Sequence, residues 1–244
     1  MRPLPLLALA CLPLLGACQW LAPQSPAPAI RPVAWEQRAA DCTGERCSLV
    51  NVETLRIAEE PRLEALIEQR LLAMTASGDG SAPPASLRAY ADALLASARE
   101  GRETWLQAKL IDRHGDLLVI ELSSYLYSGG AHGMPGRGFI NYSLSRQRAL
   151  QLDDLLLPGR EDAFWDAARE ARRDWLKAQQ LDGDRDFQAS WPFVPTANLA
   201  LLRDRLQLKY DVYALAPYAM GHPTLEIPYP RLQGVLRPEF LPVR

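Results

Sequence analysis

Residues 103–127 read ETWLQAKLIDRHGDLLVIELSSYLY, and the reading of this stretch decides the fold. Two runs of strand composition flank His114-Gly115-Asp116, a turn that predicts a hairpin. Downstream, GFINYSLSRQRALQLDDLLL (138–157) predicts two more strands around Arg146-Gln147. Upstream, CSLVNVETLRI (47–57) has strand composition, with a slip in its alternation near Thr54. The helical period stands apart from these runs. EEPRLEALIEQRLLAM (59–74) lines up Leu63, Leu66, Ile67, Leu71 and Met74, with Pro61 at the start. ASLRAYADALLASAREG (85–101) repeats the pattern, with Ser86 as the cap and Gly101 at the stop. EDAFWDAAREARRDWLKAQQ (161–180) carries an apolar stripe of Phe164, Ala168, Ala171 and Trp175. A hairpin at 198–211 and a strand at 224–229 close the chain. Short turns between strands and grouped helices predict an α+β domain, an antiparallel sheet with helices packed on one side.

The ends place this domain. Arg2 and the apolar run Leu4–Leu15 have signal-peptide form and are too short for a span of about 20 residues. Leu15-Gly16-Ala17-Cys18 resembles the bacterial lipobox, so residues 1–17 are expected to be a leader and Cys18 the lipidated (palmitate-bearing) N-terminus. Residues 18–34 contain Pro23, Pro26, Pro28 and Pro32 and are expected to be an extended linker. Gln19, where an aspartate would signal inner-membrane retention, favours the outer membrane facing the periplasm. Residues 35–244 are then one domain of about 200 residues. In CTGERC, an oxidising compartment and a short loop favour a Cys42–Cys47 disulfide over a metal site. Without residues 1–17 the net charge is near −3 and no basic cluster stands out, which argues against a nucleic-acid partner.

The stretch YSGGAHGMPGRGF (127–139) is the chemically suggestive one. His132 as a base has Ser128 nearby, but the spacing is not G-x-S-x-G and no orienting third group is marked. Neither phosphate-loop spacing fits, and His114 and His222 lie too far off in sequence to mark a metal site. Asp182, Asp184 and Asp186 have calcium-loop spacing, yet Phe187 and Phe193 stand where glycine and glutamate are required. Asp153 and Asp154, read as strand neighbours, point to opposite faces. Asn141-Tyr142-Ser143 matches a glycosylation sequon that means little behind such a leader. Trp191, Phe193 and Tyr218 are either exposed anchors or packing over the open end of the core. No catalytic residue, metal or cofactor is assigned. The glycines serve a wide connection between strands, and a binding loop stays open.

Tyr127, Gly129, Gly130, Ala131 and His132, followed by the 138–157 run, resemble the Y-x-G-G-A-H segment of the RsiV-type extracytoplasmic domain, the DUF3298 family. Ala216, Pro217, Tyr218 and Gly221, then Ile227, Pro228 and Tyr229, resemble its closing segment. The resemblance covers about residues 120–240, assigning 116–244 to DUF3298 and 35–115 to a looser DUF4163-like part. It implies binding rather than catalysis, so the chain is not expected to be an enzyme. In the family's receptor, the outer domain grips a muramidase and a transmembrane helix leads to a sigma-factor clasp; no such helix is expected here. The expected function is a lipid-anchored envelope protein that recognises a lysozyme-like protein or peptidoglycan. Its partner-binding loops are expected at Tyr127, Gly129, Gly130, His132, Tyr218 and His222. The alternatives are a peptidoglycan-modifying enzyme or accessory using His132, and a structural envelope lipoprotein.

Overall fold

The computed structural model describes residues 28–40, 42, 47–76, 82–97 and 101–242. The leader, Cys18 and most of the proline-rich linker lie outside the described residues. The chain enters as β1 (Ile30–Arg38) and pairs antiparallel with β2 (Leu49–Ile57). It crosses through α1 (Pro61–Ala73) and α2 (Leu87–Ser97) to β3 (Glu103–His114). The antiparallel strands β4 (Leu117–Tyr127), β5 (Met134–Ser143) and β6 (Arg148–Ala149) follow. These six make one sheet in chain order. After α3 (Leu152–Leu155), α4 (Glu161–Ala178) and α5 (Arg185–Ser190), a second antiparallel sheet forms from β7 (Leu199–Leu201), β8 (Arg205–Lys209) and β9 (Thr224–Pro228). Among the described residues, no helix is long and apolar enough to cross a membrane. The α+β class and the hairpin at 103–127 stand as expected.

Three local details differ from the sequence reading. The expected linker runs through residue 34, but β1 already begins at Ile30. Pro32 is compatible with that strand because β1 is the sheet edge, where a missing N–H costs no ladder bond. The helix pair between β2 and β3 is a crossover, so those two strands run parallel within an otherwise antiparallel sheet. The strand expected after Arg146-Gln147 is only two residues long. Leu152–Leu155 turns into a helix instead, with a reciprocal cap between Gln151 and Asp154. Arg148 grips Asp154 at 2.7 and 2.6 Å and holds its carboxyl at about 2. Asp153 and Asp154 are thus helical neighbours, not strand residues.

Two cores sit on opposite faces of the large sheet. On one face α1 and α2 bury Leu63, Ile67, Leu71, Leu87 and Ala91 against Val50, Val52, Leu106, Ile120 and Tyr142. Each large apolar side chain buried there contributes about 1.5–3 kcal/mol. Ser86 caps α2, its Oγ accepting from the Ala89 amide at 3.1 Å. On the other face the small sheet and α4 gather around Phe164, Ala168, Leu206, Leu225 and Leu117. Residues 117–120 of β4 are therefore all buried, whereas burial alternates from Glu121 onward. That change marks where the second layer stops and one face of the sheet opens. Asn141 joins the layers: its side chain donates to the Leu199 carbonyl at 2.9 Å and accepts from the Leu201 amide at 2.8 Å. The sequon residue is thus buried and fully used. Cys42 and Cys47 are joined as a disulfide ahead of β2.

Candidate functional site

The glycine stretch and the closing segment meet. Between β4 and β5 the chain turns through Gly129 and Gly130, both at positive φ (106° and 98°). Tyr127 braces the turn by donating to the Gly130 carbonyl at 3.0 Å. Gly133 is buried for another reason: a Cβ there would lie 2.5 Å from the Tyr125 ring. Its amide donates to the Tyr125 hydroxyl at 3.1 Å, and its carbonyl accepts from the Tyr218 hydroxyl at 3.0 Å. Tyr218 opens a single 3₁₀ turn, Tyr218–Met220, which Gly221 ends at φ 66°. Its ring stacks on His132, centroids 4.0 Å apart, while His132 Nδ1 lies 3.0 Å from the Gly133 carbonyl. Because a carbonyl only accepts, that nitrogen carries the proton; His132 itself is exposed.

Two residues outside the sequence expectations are exposed here, and one of them, Tyr213, extends the stack. Tyr213, at φ 66°, holds its ring 5.6 Å from Tyr218 and is 49% exposed; Met134, the first residue of β5, is 48% exposed. With His132 and Tyr218, Tyr213 forms a patch of aromatic rings on braced backbone. Tyrosine and methionine are enriched in the cores of protein interfaces. No local signal singles out Tyr213 or Met134, since exposed and core apolar residues look alike in a sequence.

The other expected residues divide. Tyr127 supports the loop from below, and His222 points inward. His222 Nδ1 meets the Tyr210 carbonyl at 3.0 Å and lies 3.8 Å from Asp211. Burial holds the His222 imidazole below its usual pKa, outweighing that hydrogen bond. Asp211 in turn accepts from the Arg137 amide at 2.9 Å, tying the closing segment to β5. Phe193 packs on the second core beside Trp165, and the Trp191 carbonyl accepts from Arg172 at 2.6 Å. Asp184 caps α5 through the Phe187 amide at 2.8 Å. Among the described residues no cluster of three or more His, Cys, Asp or Glu could hold a metal.

Two concavities among the described residues lie near these segments. One, of about 550 Å³, lies where the β3–β4 turn meets the C-terminal segment. Its polar groups bind each other: Asp116 accepts from Ser143 and Ser145, and Arg146 pairs with Glu239. The other, of about 210 Å³, is the open part of the large sheet, beside the glycine loop; Asn51, Trp105, Gln107, Tyr125 and Arg137 line it.

Comparison with known proteins agrees with this architecture. Residues 153–230 match a family model described as a protein of unknown function, DUF3298. A crystal structure of a DUF3298 family protein from Pseudomonas aeruginosa PAO1 is 48% identical, covers 89% of this chain and 98% of its own, and superposes with a TM-score of 0.85. A second, from Bacteroides fragilis NCTC 9343, is 20% identical with a TM-score of 0.66, over 86% of this chain and 94% of its own; it shares the fold. Among curated proteins, the peptidoglycan-N-acetylmuramic acid deacetylase PdaC of Bacillus subtilis (strain 168) is 22% identical over 142 residues, 54% of this chain. The chain spans 29% of the length of that relative.

Proposed function

Because the chain belongs to the DUF3298 family, we propose that it is a lipid-anchored envelope protein that recognises a macromolecular partner and performs no chemistry itself. The observation that carries this reading is the His132–Tyr218 stack. It joins two segments distant in sequence into one patch with the exposed Tyr213. Rings held on braced backbone lose little conformational freedom on binding, which suits an anchor residue. The RsiV-type resemblance makes a lysozyme-like muramidase the favoured partner, met outside the cytoplasm through the anchor at Cys18.

The experiment is a surface-binding titration of hen lysozyme and a bacterial muramidase against residues 28–244. Tyr213→Ala, at an exposed position, is expected to weaken binding about tenfold or more while the melting curve stays in place. Absence of binding at micromolar concentration removes the muramidase. Mass spectrometry of the full chain from membranes tests the anchor; an unmodified Cys18 on an uncleaved chain removes it.

The rival reading is an enzyme acting on peptidoglycan through His132, and the name of the Bacillus relative is what favours it. The ring of His132 meets Tyr218 and the Gly133 carbonyl, an arrangement that supports holding a surface more than moving a proton. Digestion of purified cell wall by the wild type, lost in His132→Ala, would decide for the rival.

A further inference from the structure

The open part of the large sheet is built from two cross-strand rows. Strand pairing sets Glu36, Asn51, Trp105, Tyr125 and Pro135 side by side across β1–β5. The next row sets Glu53, Gln107, Ser123 and Arg137 side by side across β2–β5. Neighbouring strands lie about 4.8 Å apart, so the four strands from β2 to β5 present a shelf about 14 Å long. Trp105 is 42% exposed, although it occupies the solvent phase of a strand whose other phase holds Thr104, Leu106 and Ala108 in the core. Its indole N–H is taken by Glu103 at 3.3 Å, which leaves the ring face free. Tyr125, its cross-strand neighbour, is fixed by accepting from the Gly133 amide. The second layer stops at this line: Lys209 pairs with Glu121, and Asp211 receives the Arg137 amide.

We propose that this shelf binds an acidic amino-sugar strand, the glycan of the bacterial wall, at a site separate from the Tyr213–His132 patch. Pyranose rings have apolar C–H faces and hydroxyl edges. An exposed Trp105 beside Tyr125 supplies a flat apolar platform for the faces. Side-chain amides accept and donate, and carboxylates accept. Asn51, which donates to Glu36 at 3.4 Å, and Gln107, which donates to Glu53, keep further capacity for ring hydroxyls and N-acetyl groups. Charge decides where an acidic group can sit: Glu36, Glu53 and Glu103 hold the β1–β3 side of the shelf, and Arg137 holds its β5 end. The Arg137 guanidinium donates to the neighbouring Gly136 carbonyl at 2.9 Å, and among the described residues it has no ion-pair partner. Placed at the end of the shelf, it matches the lactyl carboxylate of a muramic-acid residue. This rests on the envelope reading only for where the glycan is encountered, and it does not depend on the muramidase.

The test is titration of the full chain, followed by NMR, with solubilised strands of alternating N-acetylglucosamine and N-acetylmuramic acid, and separately with N-acetylglucosamine oligomers. The wild type is expected to bind both, the acidic strand more tightly. Trp105→Ala is expected to lower affinity for both at least tenfold. Arg137→Gln is expected to weaken the acidic strand alone, several-fold. Trp105 lies at the surface, so its truncation leaves no core cavity; Gln107→Ala, expected to weaken both, is a second shelf variant. Absence of acidic-strand binding by the wild type, wild-type affinity in Trp105→Ala, or equal loss for both ligands in Arg137→Gln overturns the proposal. Glycan binding without muramidase binding leaves it standing and removes the protein partner. A muramidase that loses affinity in Trp105→Ala while the strand does not bind makes the shelf a protein dock instead.

Discussion

The ring of His132 lies on that of Tyr218, 27° from parallel, and the Tyr218 hydroxyl donates to the carbonyl that follows His132 in the chain. The glycine loop is therefore held by the closing segment as well as by Tyr125 and Tyr127 of β4. Tyr218→Phe keeps the stack and loses the bond, at a cost of about 1 kcal/mol. Tyr218→Ala loses both, about 2 kcal/mol. Urea unfolding measures the difference, and faster hydrogen exchange around Gly133 in the alanine variant would localise it.

Two glycines of the same loop are required for different reasons. Gly130 has open space around it but a φ of 98°, so Gly130→Ala strains the backbone and costs about 1 kcal/mol. Gly133→Ala drives a methyl group into the Tyr125 ring and to 2.8 Å from the Leu126 carbonyl. Its cost is about 1–3 kcal/mol, with displacement of the stack. Melting curves of the two variants should differ, and only Gly133→Ala should reduce partner binding through the His132 patch.

Asn141 is the bond between layers. Asn141→Leu keeps the volume but leaves the Leu201 amide and the Leu199 carbonyl without their partner. The expected loss is about 2–4 kcal/mol, read as a lower urea midpoint at unchanged slope.

His222 makes stability depend on pH. Its folded pKa lies below the ordinary 6.5, first because it is buried, with Arg137 and Lys209 opposing the proton and Asp211 favouring it. Below about pH 6.5 the unfolded chain takes up a proton that the folded chain refuses. Stability from this group is thus full above that pH and falls as pH drops toward 5, by at most about 1.4 kcal/mol per unit. His222→Gln should flatten that part of the profile in denaturant titrations at pH 5–7.5.

Much of this was legible. Period located α1, α2 and α4, because a half-buried helix writes its burial into spacing, and strand composition on either side of His114-Gly115-Asp116 located the hairpin at 103–127. Ser86 was read correctly as a cap. The β1 strand was not legible: four prolines between residues 23 and 32 resemble a spacer, and only an edge position makes Pro32 tolerable. Leu152–Leu155 was read as strand because two adjacent aspartates among leucines fit either period over four residues. Trp105 carried a signal that went unused, a large ring in the polar phase of a strand.

The sequence by itself determined the type of most elements, the α+β class and the two segments that matter, since these depend on neighbours three or four residues away. Only the tertiary structure decided that those segments meet at Tyr218, that His222 faces inward while Tyr213 faces out, and that one half of the sheet is left open. Those facts depend on which layer stops where, and that is set by contacts such as Asn141 with Leu199 and Lys209 with Glu121. Residues far apart in the chain acquire a shared surface only when such contacts close.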